Sequence, residues 1–194
     1  MRILAGRFKG HNLLAPPGRT QTRPITGRAR KSLFDILSPH LAGAMVLDLY
    51  CGTGTMGLEA LSRGARACWF ADRDRTALKR LRRNIQALNV QDCCGVWQGD
   101  VPARLRRWLT DLDGAVDVAF VDPPYAETRR WTWGVIEQRL FGPLGGKLAG
   151  DGTVVLRTPA SLAVPQRIDI LAATRTKRYG GTVVTLLEPN VEEK

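Results

Sequence analysis

The sequence predicts an α/β fold, in which a mostly parallel, seven-stranded sheet is covered by helices on both faces and finished by an antiparallel end. Three observations predict it. From Ala44 to about Phe141, short apolar runs alternate with segments of helical period, the order a parallel sheet requires. Those runs lack strict in-out alternation, which means burial on both faces. Beyond Arg157 the rhythm changes to two runs joined around Gly180-Gly181, which read as an antiparallel pair.

Taken in order, Arg2–Ala15 predicts a β-hairpin turning at Lys9-Gly10, followed by a Pro16-Pro17-Gly18 linker. A helix follows from about Thr26, its expected N-cap, to Leu37. Ala29, Leu33, Ile36 and Leu37 form its apolar face, with Arg28, Arg30 and Lys31 pointing elsewhere. The alternation then gives strands at Met45–Tyr50, Ala67–Ala71, Cys94–Gln98 and Val116–Val121. The helices between and after them are Met56–Arg63, Arg75–Leu88, Ala103–Leu109 and roughly Thr128–Phe141. A strand at Thr153–Arg157 precedes two more, near Arg167–Tyr179 and Thr182–Glu188, and Glu192–Lys194 reads as a frayed tail. Residues 1–40 are expected to form a basic appendage and residues 41–194 the main domain.

At 194 residues, the chain is long enough to bury a core without disulfides or structural metal. Its longest apolar run, Ala67–Ala71, is too short for a membrane span or a signal-peptide core, so a cytoplasmic protein is expected. The four cysteines show no CxxC spacing and only two histidines accompany them, so no metal site is expected. The formal net charge is +11 and unevenly distributed: residues 1–34 hold eight basic side chains and no acid. Such asymmetry points to a polyanion, nucleic acid above all. Because the segment is expected to add little core, Arg7, Lys9, Arg23 and Arg28 are candidate RNA contacts. The basic residues of the Arg75–Leu88 and Ala103–Leu109 helices read rather as solvated faces.

The first strand runs into Asp48-Leu49-Tyr50-Cys51-Gly52-Thr53-Gly54-Thr55-Met56-Gly57, a G-x-G-x-x-G between strand and helix. Backbone N–H groups freed of side chains suit an anionic ligand at a helix N-terminus. Asp48 argues against pyrophosphate and for a ligand carrying an ammonium and a sulfonium, which S-adenosylmethionine does. Asp72 ends the second strand 20 residues after Gly52, where an acid reaches ribose hydroxyls. Asp74 caps the next helix. Asp100 ends the third strand and either accepts from an adenine amino group or caps the following helix.

The fourth strand ends in Asp122-Pro123-Pro124-Tyr125. Two prolines make a rigid corner without N–H donors. The Asp122 carboxylate and the Pro123 carbonyl then give two acceptors for a planar NH2, and Tyr125 a ring to stack on the base. Asp122, with an expected pKa near 4, takes a proton only once the nitrogen becomes cationic. Arg129 and Arg130 follow where RNA would lie. Trp131 and Trp133 are read either as base-stacking residues or, for Trp131, as core. Cys51 is read as filler, because an exocyclic amine needs no enzyme nucleophile.

In this order the two motifs resemble the class I S-adenosylmethionine-dependent methyltransferases acting on exocyclic amines, with their Rossmann-like fold. Arg23-Pro24-Ile25-Thr26-Gly27-Arg28-Ala29-Arg30-Lys31-Ser32-Leu33-Phe34 is similar to the R-P-T-x-x-R-x-R-E-x-L-F signature of the bacterial 16S rRNA (guanine-N2)-methyltransferases of the RsmD type. Arg2–Gly6, Gly57–Gly64 and Tyr179-Gly180 add to the likeness, which covers essentially the whole chain. It implies cofactor contacts by Asp48, Gly52, Gly54, Asp72 and Asp100, with Tyr50, Arg73 and Val101 beside them. It places Asp122, Pro123, Pro124 and Tyr125 on the target guanine. It further implies a monomer acting on 16S rRNA within an assembled or assembling small ribosomal subunit. Ile25, Lys31 and Asp72 stand where the pattern has threonine, glutamate and more often glutamate. The competing readings are an adenine-N6 methyltransferase on DNA or RNA, which would share Asp122–Tyr125, and a non-catalytic RNA-binding protein on the same fold.

Overall fold

The computed structural model describes residues 1–15 and 27–190. The Pro16-Pro17-Gly18 linker, Arg23, the Thr26 cap and the Glu192–Lys194 tail lie outside the described residues. After α1 (Gly27–Leu37) come β1 (Met45–Leu49), α2 (Thr55–Ser62), β2 (Ala67–Asp72), α3 (Arg75–Ala87), β3 (Cys94–Gln98), α4 (Val101–Thr110) and β4 (Val116–Val121). The remainder is α5 (Tyr125–Thr128), α6 (Trp133–Ile136), α7 (Gly142–Gly145), β5 (Leu148–Pro159), β6 (Arg167–Ile168), β7 (Leu171–Tyr179) and β8 (Thr182–Pro189).

The strands form one sheet in the order β3-β2-β1-β4-β5-β8-β7-β6, parallel from β3 to β5 and antiparallel beyond. The eighth strand arises because the run expected from Arg167 to Tyr179 folds back at Asp169-Ile170, with Asp169 at φ +54°, into β6 and β7. β5 is longer than expected. Its register against β4 jumps between Leu148 and Thr153, where Gly152 lies so close to the Val116 carbonyl that a Cβ would sit 2.8 Å from that oxygen.

Alternate residues of each strand feed two apolar layers. Val46, Phe70, Phe120 and Val184 pack with Phe34, Leu58 and Leu81 of α1, α2 and α3 on one face. Leu47, Val121, Val154 and Leu187 pack with Leu105, Leu140 and Phe141 on the other. The helix expected over Thr128–Phe141 is broken. Thr132 is extended, and α6 continues into a π-helical turn at Glu137–Phe141. Trp131 and Trp133 both turn onto Phe141, with ring centroids 6.2 and 6.3 Å from it. Residues two apart do not share one helix face, so the chain must open to let both reach it. No helix among the described residues is long and apolar enough to cross a membrane.

The N-terminal segment is part of the core, contrary to the expectation that it adds little. Ile3, Leu13, Leu33, Phe34 and Leu37 are all buried in the same layer as the sheet. The hairpin is held by Ile3 N–H to the His11 carbonyl (3.0 Å) and Leu13 N–H to the Met1 carbonyl (2.6 Å), around a single bridge between Arg2 and Asn12. It docks on α2. Glu59, fully buried, accepts from the N–H groups of Leu4 (2.8 Å) and Ala5 (3.1 Å) and from Arg63 Nε (2.9 Å). Ser62 takes the N–H of Arg7 on its carbonyl (2.8 Å) and that of Phe8 on Oγ (3.0 Å). Arg30, expected to point outward, is buried and donates to the Arg2 carbonyl at 2.5 Å. The hairpin brings a carbonyl over α1 that a short side chain could not reach.

Glu59→Ala removes the acceptor of two half-buried N–H groups and leaves the Arg63 guanidinium its longer contact with Asp35 at 3.9 Å. Urea unfolding should show a loss of about 2–4 kcal/mol, with the hairpin becoming the first segment to exchange its amide hydrogens.

Candidate active site

The carboxyl ends of β1, β2, β3 and β4 meet at one edge of the sheet. Backbone hydrogen bonds from Cys51 N–H to Ala71 (3.0 Å), Gly99 N–H to Asp72 (3.0 Å) and Asp122 N–H to Leu49 (3.3 Å) hold neighbouring ends together. The structure brings Asp48, Tyr50, Gly52, Gly54, Asp72, Arg73, Asp100 and Val101 to this edge with Asp122, Pro123, Pro124 and Tyr125.

The glycine loop does not present its glycine N–H groups to an anion, as the spacing alone suggested. Gly52 N–H donates to Asp72 Oδ2 (2.8 Å), Gly54 N–H to the Cys51 carbonyl (2.8 Å) and Gly57 N–H to Asp48 Oδ2 (2.8 Å). Gly54, at φ +82°, lies against Leu81, and Gly57 packs so closely on β2 that a Cβ would fall 2.4 Å from both Cys68 Sγ and Phe70 Cε1. Gly52 (φ +55°) faces open space. The loop is therefore a closed turn with one open position, edged by carboxylates. That fits a cationic ligand better than a pyrophosphate.

Asp48 is buried, and desolvation pushes its pKa up to about 7, with the Gly57 hydrogen bond opposing and Asp122 and Asp72 adding to the rise. Asp72 Oδ1 accepts from Asp74 N–H (2.9 Å), so both its oxygens are oriented by backbone while lone pairs remain. Asp74 caps α3 through Thr76 and Ala77. Asp100 is exposed and caps α4 through Ala103 N–H (3.1 Å), and buried Val101 begins that helix. Burial raises the Cys51 thiol well above its ordinary pKa, leaving it protonated and poorly nucleophilic.

At the other half, the Pro124 carbonyl accepts from Glu127 (2.8 Å) and Thr128 (3.2 Å) as the first turn of α5, whereas no backbone donor among the described residues takes the Pro123 carbonyl. Asp122 Oδ1 accepts from Arg157 Nε of β5 at 2.5 Å. The Asp122 pKa is not the ordinary carboxylate value expected from sequence. Burial raises it, and the charge and hydrogen bond of Arg157 oppose the rise. The Tyr125 hydroxyl meets Thr182 Oγ1 of β8 at 2.5 Å. Glu127 joins the two halves, accepting from the Tyr50 hydroxyl (2.8 Å) and pairing with Arg73 (3.8 Å). Tyr50 reaches it from a left-handed backbone conformation at φ +61°.

Residues 1–188 match the family described as "Conserved hypothetical protein 95", the RsmD family. The chain belongs to it. Over 187 residues it is 32% identical to "Putative rRNA methyltransferase YlbH" of Bacillus subtilis, spanning 96% of this chain and 97% of that one. It is 33% identical over 127 residues to "Ribosomal RNA small subunit methyltransferase D" of Escherichia coli, spanning 64% of this chain and 60% of that one. The solved structure of "Putative methyltransferase yhhF from Escherichia coli" superposes with a TM-score of 0.77 at 26% identity, covering 99% of each chain.

Within this RsmD-family site, sequence reasoning missed three residues. Glu127, Arg157 and Thr182 lie outside any strand-end motif, and each is recognisable only once the fold sets it against Tyr50, Asp122 or Tyr125. Among the proposed RNA contacts, Arg7, Lys9, Arg28, Arg129 and Arg130 are exposed, with the Arg7 guanidinium over the Phe8 ring at 4.5 Å. Trp131 and Trp133, by contrast, pack on the core.

Because the folded-state pKa of Asp48 is raised, folding favours its neutral form. Its contribution is full below the ordinary carboxylate pKa and is lost as pH rises through about 7. Between pH 5 and 7.5 the parent should therefore lose about 1–3 kcal/mol relative to Asp48→Asn in urea titrations, and no further difference should develop above pH 8.

Proposed function

We propose that this protein transfers a methyl group from S-adenosylmethionine to the exocyclic N2 amine of a guanine in small-subunit (16S) ribosomal RNA. The observation that carries the reading is the Asp122-Pro123-Pro124-Tyr125 corner, fixed by Arg157 and Thr182 at the strand edge that also holds the glycine loop. The names borne by relatives supply the RNA class, and the amine follows from the chemistry of the corner.

When bound, S-adenosylmethionine supplies an electrophilic methyl group on a cationic sulfur. Asp48 and the open position at Gly52 suit its charged amino-acid end, Asp72 its ribose hydroxyls, and Asp100 with Val101 its adenine. Among the described residues, five carboxylates (Asp48, Asp72, Asp100, Asp122 and Glu127) stand at this edge against two guanidinium groups, Arg73 and Arg157, a balance that favours a cation over an anion. Asp122 and the Pro123 carbonyl accept the two amine hydrogens, which turns the nitrogen lone pair toward the cofactor side. Tyr125, its hydroxyl tied to Thr182, offers its ring to the base. As the nitrogen gains positive charge on methylation, its proton passes to the Asp122 carboxylate, whose burial makes it a somewhat better acceptor than a solvated aspartate. Arg157 holds that carboxylate in one orientation throughout.

Small-subunit rRNA from cells lacking this protein, incubated with enzyme and cofactor and digested to nucleosides, should yield N2-methylguanosine by mass spectrometry. N6-methyladenosine instead would replace the guanine assignment, and no methylated nucleoside would remove the activity. Asp122→Ala should slow single-turnover methylation by about 10²–10⁴-fold with cofactor affinity within a few-fold of the parent. Asp72→Ala should do the reverse, weakening cofactor binding in calorimetry by about 1–3 kcal/mol.

A further inference from the structure

The antiparallel end of the sheet carries a second basic surface, far in sequence from the charged N-terminus. Residues Thr174–Arg178 of β7 are all exposed, and among the described residues no strand pairs with their outer edge, because β6 pairs with β7 only at Ala172 and Leu171. On the α1 face of β7, Arg175 and Lys177 project beside their cross-strand partners Leu186 and Val184 of the core. Opposite them α1 presents Arg28 and Lys31, and the four line a groove of about 530 Å³. Its one acid, Asp35, is already paired with Lys31 at 2.8 Å and with Arg63 at 3.9 Å. Farther along the same face Glu188 accepts from the Thr153 hydroxyl at 3.3 Å. Among the described residues, no carboxylate pairs with Arg28, Arg175 or Lys177.

The groove leads to the site. Its floor is pinned where the Tyr179 hydroxyl of β7 donates to Ser32 Oγ of α1 at 3.1 Å. Tyr179 pairs with Thr182 across the hairpin, and Thr182 holds the Tyr125 hydroxyl at the proposed target-base pocket. Cations guarding a bare strand edge are common, but edge protection requires neither a second pair facing them from a helix nor a path to the catalytic corner.

We infer that the α1–β7 groove binds the phosphate backbone of the RNA beside the target nucleotide, through Arg28, Lys31, Arg175 and Lys177. The identity of the polyanion rests on the function proposed above, whereas the location of the groove does not.

Arg175→Glu combined with Lys177→Glu keeps charge on the strand edge and so keeps edge protection while reversing its sign toward RNA. The probe is naked small-subunit rRNA from cells lacking the protein, titrated over a salt series with cofactor saturating. The double variant should bind at least tenfold more weakly at low salt, and its log–log salt slope should be shallower by about 0.7 for each phosphate it no longer neutralises. Its affinity for S-adenosylmethionine should match the parent. Equal affinity and slope in variant and parent would overturn the inference, as would a defect confined to the ribonucleoprotein particle, which would make the groove a seat for a protein. If the double variant does not fold, Arg28→Ala with Lys177→Ala removes one cation from each wall and must show the same direction. A parent that binds the RNA with the expected contrast but methylates nothing would overturn the function and leave the groove standing.

Discussion

A parallel sheet ends each strand in backbone that no longer has a neighbour to pair with, and in this protein two carboxylates resolve that problem where it matters most. Asp48 and Asp72 accept the N–H groups of Gly57 and Gly52, closing the turn after β1 from both sides. A buried N–H without an acceptor costs more than a hydrogen bond gains, so the turn has one stable shape once these acids are in place. Everything at the site is measured from it. The end of β1 receives Asp122 N–H from the end of β4, and Tyr50, one residue on, reaches across to Glu127 beyond the proline corner. The Asp48 carboxylate is held at a cost, since burial drives its pKa to about 7. A cationic ligand beside it would stabilise the charged form, so the desolvation that weakens the free protein favours the occupied one.

A second buried carboxylate governs the N-terminus. Glu59 lies on α2, one turn after the glycine loop, and its oxygens serve Leu4, Ala5 and Arg63. The hairpin is therefore fastened to the helix whose own start is set by Asp48, and Gly6 allows the contact because a Cβ there would collide with the Ser62 carbonyl. The exposed Arg7 and Lys9 thus sit on a docked platform with a fixed relation to the site, so that under the proposed RNA reading they would measure a distance along the polyanion as well as attract it.

The fold was legible because its signals are local. β3 and β4 begin and end where the apolar runs do, and Asp74 and Asp100 cap the helices that follow them, as short acids before a helical period should. What stayed hidden depended on partners distant in the chain. Arg30 has the sequence of a surface residue and is buried only because the hairpin supplies the Arg2 carbonyl. The glycine spacing by itself suggests an anion cradle, and only Asp48 argues against it, since spacing shows where N–H groups lie and not which acceptors already hold them. The break after α5 follows from Trp131 and Trp133 sharing Phe141, a contact that helical periodicity along 128–141 does not reveal.

The antiparallel end of the sheet acquires a function from the same geometry. A proline corner at the end of β4 is rigid in its backbone, but Asp122 and Tyr125 still rotate about their side-chain bonds. Their second supports come from β5 and β8, through Arg157 and Thr182. These strands are antiparallel neighbours, and the Arg157–Val184 and Pro159–Thr182 pairs of their ladder fix how far apart the two supports stand. The Asp122 carboxylate and the Tyr125 ring, on which the proposed reaction depends, are consequently spaced by sheet register, which changes only in whole-residue steps. β7 then extends that sheet into the basic groove. A base seated at Tyr125 and a phosphate backbone held by Arg175 would therefore be referenced to one continuous ladder of hydrogen bonds, and orienting the RNA and orienting the reacting amine become a single structural requirement.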